Sequence, residues 1–204
     1  GRDQYDPVRN LSFIGINFRH AKPTILSPRG YSVLLGGGDY AMVKAGALVA
    51  ENADGLTVSS CSFSRLDGNA VILYGFVRNA LLEDNEFFSL GANAIVSWGI
   101  AEFQEGTRGT NPEGTRIVGN FAHEVGLLEK QGCFYFQALS ALAVVERNVA
   151  FNGPRKLRHL LRLVCILTVL SRTGAALNFN DGFGGGAVVR HNCFVNWVRE
   201  TGDQ

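Results

Sequence analysis

The sequence has little of what marks several large classes of protein. Its 204 residues include only five prolines and one methionine, and 19 basic against 18 acidic residues leave a formal net charge of +1. So balanced a charge supplies neither the counterion release that drives nucleic-acid binding nor attraction to an anionic membrane. Nucleic acids and membranes are therefore not expected partners, and the sequence carries no indication of oligomeric state.

The sequence also lacks the spacing of a metal site. Its cysteines, Cys61, Cys133, Cys165 and Cys193, lie far apart and form no CxxC pair. Three of its histidines, His20, His159 and His191, have no partners at metal-ligand spacing, and His123-Glu124 lies away from the other polar residues. We therefore expect buried free thiols and no resident cofactor.

Glycine and phenylalanine are abundant instead, with 25 and 14 residues. This composition suits a chain of many tight turns around an aromatic interior, and so favours β-structure. The length is enough for one sizeable core.

A repeated pattern runs through most of the chain: apolar-x-apolar-x-x-(Asn/Cys)-x-(Phe/apolar). The copies are Leu56–Phe63, Ala80–Phe87, Thr115–Ala122, Ala143–Ala150 and Ala187–Phe194, with a weaker copy at Leu11–Phe18. Two of the steps between the repeated Asn or Cys positions are 24 and 28 residues. Such a step fits one coil of a solenoid built from three short strands and three turns.

The repeat predicts an all-β fold, a single-stranded right-handed parallel β-helix with coils of about 22–28 residues. Each coil would pair its strand edges with the next coil, about 4.8 Å away. Residues 1–204 would form one domain of this kind, truncated at both ends. Leucine-rich repeats would need a denser leucine pattern, and sandwiches would need hairpin turns.

The repeated polar position predicts a structural ladder. Asn85, Asn120, Asn148 and Asn192, with Cys61 as a substitute, would tolerate a left-handed backbone at a turn and hydrogen-bond between coils. The phenylalanines two residues later, Phe63, Phe87 and Phe194, are predicted core residues.

Two segments depart from the repeat. Residues 101–114 are polar and predict a loop inserted at a turn, whereas residues 156–173 carry arginine, leucine and β-branched residues without Gly or Asn. Removing these 18 residues shortens one long step to 26. Three interpretations of 156–173 stay open: a helical excursion, translated non-coding sequence, and a membrane segment. For the last, its apolar run from Leu163 to Leu170 is shorter than the roughly 20 residues a span requires.

Residues at equal distance from the ladder position would lie on one flank of the solenoid. Charged and amide residues gather there in three successive coils. They are Glu129, Lys130 and Gln131 in the first, Arg155, Asn178, Asn180 and Asp181 in the second, and Arg199, Glu200 and Asp203 in the third.

This flank has the spacing of a carbohydrate-cleaving site. Carboxylates one or two coils apart would be about 5 Å or about 10 Å apart, which brackets the separations in retaining glycosidases, roughly 5 Å, and inverting ones, roughly 6.5–9.5 Å. Crowding raises the pKa of some of these carboxylates and helps one remain a general acid. A lyase would instead use Lys130 as base, with Ca²⁺ as cofactor. A solvated charge network, with Arg155 and Arg199 neutralising the acids, explains the same pattern.

The chain resembles the right-handed parallel β-helix proteins of the pectin-lyase-like superfamily over nearly its whole length except 156–173. The segments that carry the resemblance are His123–Gly126, Glu129–Gln131, Gly153–Arg155, Gly174–Gly186 and Arg199–Asp203. The Glu200-Thr-Gly-Asp203 stretch is similar to an acidic motif of β-helix glycoside hydrolases. The resemblance implies that Asp203 acts with Glu200 or Asp181, and that the protein is secreted or lies at the cell surface.

The sequence leaves open whether the protein is an enzyme. A polysaccharide or oligosaccharide is the expected partner. A glycoside hydrolase using Asp203 with Glu200, Asp181 or Glu129 is favoured over a lyase, with Lys130, Gln131, Arg155, Asn178 and Arg199 as substrate contacts. The alternative is a non-catalytic module that holds glycans through aromatic residues such as Trp98, Tyr135 and Trp197.

Overall fold

The computed structural model describes residues 1–21, 44–100, 109–129, 132–154, 164–166, 169–173, 176–180 and 185–197, with backbone alone for 164–166, 169–173, 180, 196 and 197. Across these ranges the chain forms 21 strands and no helix. The all-β prediction is confirmed for this part of the chain, and no helix within it could cross a membrane.

The strands form three sheets. The first sheet contains, in spatial order, β1 (Val8–Arg9), β4 (Gly46–Asp54), β7 (Asn69–Arg78), β10 (Ile95–Trp98), β14 (Tyr135–Ala138) and β19 (Leu177–Asn180), with β11 (Pro112–Glu113) also paired to β7. The second contains β2 (Ser12–Ile14), β5 (Thr57–Ser59), β8 (Leu81–Glu83), β12 (Arg116–Val118), β15 (Val144–Glu146), β20 (Val188–Arg190) and β17 (Val164–Ile166). The third contains β3 (Asn17–Arg19), β6 (Ser62–Leu66), β9 (Glu86–Leu90), β13 (Phe121–His123), β16 (Val149–Gly153), β21 (Cys193–Trp197) and β18 (Val169–Thr173).

Neighbouring strands in each sheet are parallel. Consecutive strands such as β7, β8 and β9 belong to the first, second and third sheet in turn, and the chain then returns to the first sheet at β10. Each circuit therefore lies on the one before it, which pairs edges that a single circuit would leave open. Three sheets of parallel strands are consistent with a parallel β-helix.

The predicted asparagine ladder is present. The Oδ1 of Asn120 accepts from the backbone N–H of Asn85 at 3.0 Å, that of Asn148 accepts from Asn120 at 2.9 Å, and that of Asn192 accepts from Asn148 at 2.9 Å. Cys61 occupies the same column, since its N–H donates to Asn85 Oδ1. These four asparagines are buried, so their hydrogen bonds replace water for backbone groups inside the coil.

The left-handed residue of this turn is not the asparagine. A positive φ occurs one position earlier in each coil, at Gly15, Ser60, Asp84, Gly119, Arg147 and His191. The prediction that the asparagines themselves adopt the left-handed backbone was wrong, because their amides are used between coils while the preceding residue makes the bend. At Gly119 a Cβ would lie 2.3 Å from Asp84 Oδ1, which favours glycine there.

The interior is filled by a column of inward residues on the third sheet. Phe63 and Phe87 are stacked with ring centroids 5.1 Å apart, and Phe194 is also fully buried, so the core prediction is confirmed. Ala122 and Ala150 occupy the same column between Phe87 and Phe194. The ring of Phe134 enters beside these small residues, 6.5 Å from Phe87 and 6.0 Å from Phe194, and keeps the packing dense.

The predicted surplus 156–173 contributes strands where it is described. β17 pairs with β20 and β18 pairs with β21, both in parallel. They lie on the edges of β20 and β21 that face away from β15 and β16. The helical interpretation is wrong for these residues, because a β-branched run beside two open strand edges favours pairing.

The described end of the predicted loop 101–114 contains a short strand of the first sheet, β11 (Pro112–Glu113). β10 pairs with the first half of β7, from Val71 to Tyr74, while β11 pairs with Val77 and Arg78 of the same strand. β10 and β11 therefore both extend the first sheet along the edge of β7. Residues 101–108 are outside the described ranges.

Three of the four cysteines are free thiols. Cys61 and Cys133 are buried and Cys193 is half-buried. Cys133 belongs to a second ladder that the repeat did not predict. Its N–H donates to Asn93 Oδ1 at 2.9 Å, and Asn93 donates to Asn69 Oδ1 at 2.8 Å.

Candidate functional site

Two of the nine predicted site residues lie in the described part of the chain, Glu129 and Asn178. The other seven lie outside it: Asp203, Glu200, Asp181, Lys130, Gln131, Arg155 and Arg199. Their site assignments stay predictions. The structure does describe the strands that precede these residues in the chain.

The turn that carries Glu129 touches the turn of the next coil. It follows β13, and a Cβ added at Gly126 would lie 2.4 Å from Pro154 Cγ and 3.1 Å from the carbonyl oxygen of Glu129. Pro154 immediately precedes Arg155 and follows β16. Since β13 and β16 pair with His123 opposite Phe151, the two polar segments leave the third sheet in adjacent coils.

The third coil repeats this position. Phe151 of β16 is opposite Val195 of β21. Arg155 follows Phe151 by four residues and Arg199 follows Val195 by four residues. Glu200 and Asp203 come next in the chain, so the segments bearing Glu129, Arg155 and Asp203 all follow third-sheet strands of consecutive coils.

Asn178 belongs to a different part of the coil. Asn178 lies in β19 of the first sheet, opposite Phe136, and is 2% exposed. Its Nδ2 makes no hydrogen bond with any residue that the structure describes, which is a costly state for a buried donor. Asp181 follows the last residue of β19, whereas Glu129 precedes the first-sheet strand β14 that pairs with it. A strand of this length separates the two ends by about 10 Å.

Two aromatic residues predicted as glycan contacts are buried. Trp98 is 5% exposed and Tyr135 is fully buried, so neither offers a ring face to a ligand. The hydroxyl of Tyr135 donates to Gln137 Oε1 at 2.9 Å, and Gln137 donates to the carbonyl of Ser140. Burial raises the pKa of Tyr135, against a smaller lowering by a hydrogen bond with Ser97. The phenol therefore stays protonated and serves the interior. The side chain of Trp197 is outside the described part.

A different group of aromatics is accessible on the outer face of the third sheet. The imidazole of His123 is sandwiched between Phe88 and Phe151, with centroid distances of 5.5 and 5.3 Å and ring planes within 10° of parallel. Phe121 packs at an angle against His123 and Phe151 and is 39% exposed. We call Phe88, Phe121, His123 and Phe151 the aromatic strip.

A polar pair borders the aromatic strip. Asn152 Nδ2 donates to Glu124 Oε1 at 2.7 Å, and these residues directly follow Phe151 and His123. Both have a positive φ, 57° for Asn152 and 52° for Glu124, because each lies where its third-sheet strand bends into the turn. The strip and its polar pair therefore lead directly into the segment that contains Glu129.

The aromatic strip was not predicted, although the sequence contains a signal for it. Phe88, His123 and Phe151 each follow a ladder asparagine by three residues, and equal distance from the ladder predicts one column. An outward phenylalanine beside an inward one, as in Phe87 and Phe88, resembles ordinary core in sequence.

No protein-family model matches the chain, and searches of curated proteins and of solved structures also find no match. Within the described ranges, no three His, Cys, Asp or Glu side chains come together as a metal site.

Proposed function

We propose that the protein is a right-handed parallel β-helix with coils of about 22–28 residues, of the pectin-lyase-like type, and that it acts on polysaccharide. The observation that carries the proposal is the contact of Gly126 with Pro154. It joins the chain segments that carry Glu129 and Arg155 in adjacent coils. A linear sugar chain lying across such turns would meet acids and bases from successive coils.

The favoured reaction is glycoside hydrolysis by paired carboxylates. Asp203 acts as one member of the pair, and Glu200, Glu129 or Asp181 acts as the other. Lys130, Gln131, Arg155 and Arg199 hold the sugar hydroxyl or carboxylate groups. Asn178 contributes only where a substrate group reaches its buried amide.

A polysaccharide panel tests this function. The 204-residue protein is incubated with neutral and uronate-containing polysaccharides, and both reducing ends and unsaturated uronates are measured. New reducing ends without unsaturation are expected and indicate hydrolysis. Unsaturated products would replace the hydrolase with a lyase that uses Lys130 as base. Absence of both products across the panel would contradict the enzyme proposal.

The aromatic strip favours a second candidate, a glycan-binding module that does not cleave its ligand. Aromatic rings supply a large apolar contact, and the Glu124–Asn152 pair lies at the end of the strip with groups that can accept and donate hydrogen bonds to hydroxyls. The strip is also continuous with two exposed valines, Val149 on β16 and Val195 on β21.

Replacing Phe121 with alanine is expected to weaken glycan binding about tenfold, because the most exposed ring of the strip is removed. Isothermal titration calorimetry with an oligosaccharide that binds the unmodified protein measures the change. Ile14→Ala is the matched control, since Ile14 is a well-exposed apolar residue on β2 of the second sheet. Equal affinities of the two variants would remove the strip from the binding surface.

A further inference from the structure

Three arginines from consecutive coils converge on one carboxylate on the outer face of the second sheet. Glu146, the last residue of β15, accepts from Arg190 Nε at 2.5 Å through Oε2. Its Oε1 lies 3.4 Å from Arg147 Nη1 and 3.6 Å from Arg116 Nη2. Glu146 and Arg190 are directly opposite in the β15–β20 pairing, and Arg116 lies on β12 at the other edge of β15. We call Arg116, Arg147 and Arg190 the arginine triad.

The charges of the triad are not balanced. Three guanidinium groups share one carboxylate, and within the described residues Glu146 is the carboxylate that pairs with each of them. The side chain of Glu146 is 3% exposed, whereas those of Arg116, Arg147 and Arg190 are 55%, 61% and 43% exposed. The acid is therefore inside and the excess positive charge faces solvent.

Glu146 stays ionised and fixes the triad. The hydrogen bond from Arg190 lowers the pKa of Glu146, against a smaller raising by burial, and the charges of the three arginines lower it further. Because its folded-state pKa lies below the ordinary value, the ion pairs are intact at neutral pH and are lost only as the pH falls through the acidic range. An arginine fork held by a carboxylate retains donors for a second acceptor.

Among the described residues, the other charged groups near the triad do not cancel this excess. Glu83 is on β8, which pairs directly with the β12 strand of Arg116, but among the described residues no ion pair joins Glu83 to the triad. In the column of left-handed residues, Gly119 lies one coil before Arg147. Asp84 lies one coil further away, against Gly119. His191, next in that column, is exposed and adds no negative charge. The surface therefore becomes more basic from β8 towards β20.

We propose that the arginine triad binds sulfate groups of a sulfated polysaccharide, at a site on the second sheet separate from the polar turns that follow the third sheet. Three guanidinium groups around one point suit an oxyanion with three free oxygens, and arginine binds such groups through paired N–H donors. The cations come from three consecutive coils, so they follow the axis of the stack as charges follow a linear polymer. The oxyanion site stands on the geometry alone, while its polysaccharide ligand rests on the proposed function.

The test removes two cations and leaves Glu146 its closest partner. The double variant Arg116→Gln, Arg147→Gln keeps Arg190, and the matched control is Arg19→Gln, an exposed arginine at the end of β3 in the third sheet. Binding of dextran sulfate oligomers, uncharged dextran oligomers, polygalacturonate oligomers and a single-stranded oligonucleotide is measured by calorimetry at several salt concentrations. The double variant is expected to bind dextran sulfate at least about tenfold more weakly, with a weaker salt dependence, and Arg19→Gln is expected to bind as the unmodified protein does.

Each other outcome decides a separate point. Unchanged binding in the double variant, or an equal loss in Arg19→Gln, would overturn the site. Equal or tighter binding of polygalacturonate or the oligonucleotide would overturn the sulfated ligand in favour of a general polyanion surface. Thermal unfolding in inorganic sulfate tests the oxyanion site independently of the proposed function. Sulfate stabilises every variant equally through its exclusion from the protein surface, so only a difference between variants reports binding. Extra stabilisation by sulfate that the double variant lacks supports the oxyanion site even where no polysaccharide is bound or cleaved. Equal stabilisation in both proteins counts against it.

Discussion

Replacing Asn120 with alanine is expected to lower the free energy of unfolding by about 3–5 kcal/mol. The buried Asn120 amide accepts from the backbone and side chain of Asn85 and donates to the carbonyl of Leu82 at 2.9 Å. Alanine leaves the backbone N–H of Asn85 unpaired in the interior, at about 1–3 kcal/mol, and also removes the hydrogen bonds that the Asn120 amide makes to Leu82 and to the side chain of Asn85. Urea-induced unfolding followed by circular dichroism measures the loss.

The control for this prediction is Asn17→Ala. Asn17 also accepts a hydrogen bond from the neighbouring coil, from Ser62 Oγ at 2.6 Å, but it is exposed. Water replaces that partner, so a loss under about 1 kcal/mol is expected. A similar loss in both variants would mean that the ladder asparagines contribute no more than surface asparagines do.

Replacing Asp203 with asparagine is expected to lower the rate of sugar release by about 10²–10⁴-fold, because the amide can neither give nor take the proton of the reaction. Glu200→Gln is expected to have an effect of the same order. The unfolding midpoint should stay unchanged, because each substitution keeps the size of the side chain. Reducing-end assays on a substrate found in the polysaccharide panel measure the rate.

The partner of Asp203 is separated by two further variants. In the chain, Glu129 precedes β14 and Asp181 follows β19, two strands that pair in the first sheet. The variant among Glu129→Gln and Asp181→Asn that reproduces the loss identifies the partner. Glu86→Gln, on the exposed side of β9, is the control and should retain full turnover. Full turnover in Asp203→Asn and Glu200→Gln would remove both residues from the mechanism.

The stacking of the chain could be predicted because it leaves a regular trace in the sequence. Asn120 and Asn148 recur beside the same apolar positions, and a short side chain with both donor and acceptor is what a column between coils requires. The bend itself left no such trace, since its left-handed position holds residues as different as Asp84, Gly119 and Arg147. Backbone geometry is shared there while side-chain chemistry is not.

Side-chain contacts between paired strands, and pairing at the edge of a sheet, could not be predicted from the sequence. The convergence of Arg116, Arg147 and Arg190 on Glu146 depends on the register of three strands, and each arginine alone resembles an ordinary surface residue. The segment that contains Val164 differs in composition from the repeat, and a helical excursion was one of three interpretations left open for it. The open edge that pairs with it cannot be seen from the segment alone.

The placement of β17 bears on the order in which the molecule is made. Val144 of β15 and Val164 of β17 both align with Val188 of β20. β15 and β17 therefore pair with the two opposite edges of β20 in the same register. During synthesis β17 emerges first, and until β20 follows it can occupy the vacant edge of β15 in the register that belongs to β20. We therefore expect a slow folding phase in which this premature pairing must dissociate before the last coil is inserted.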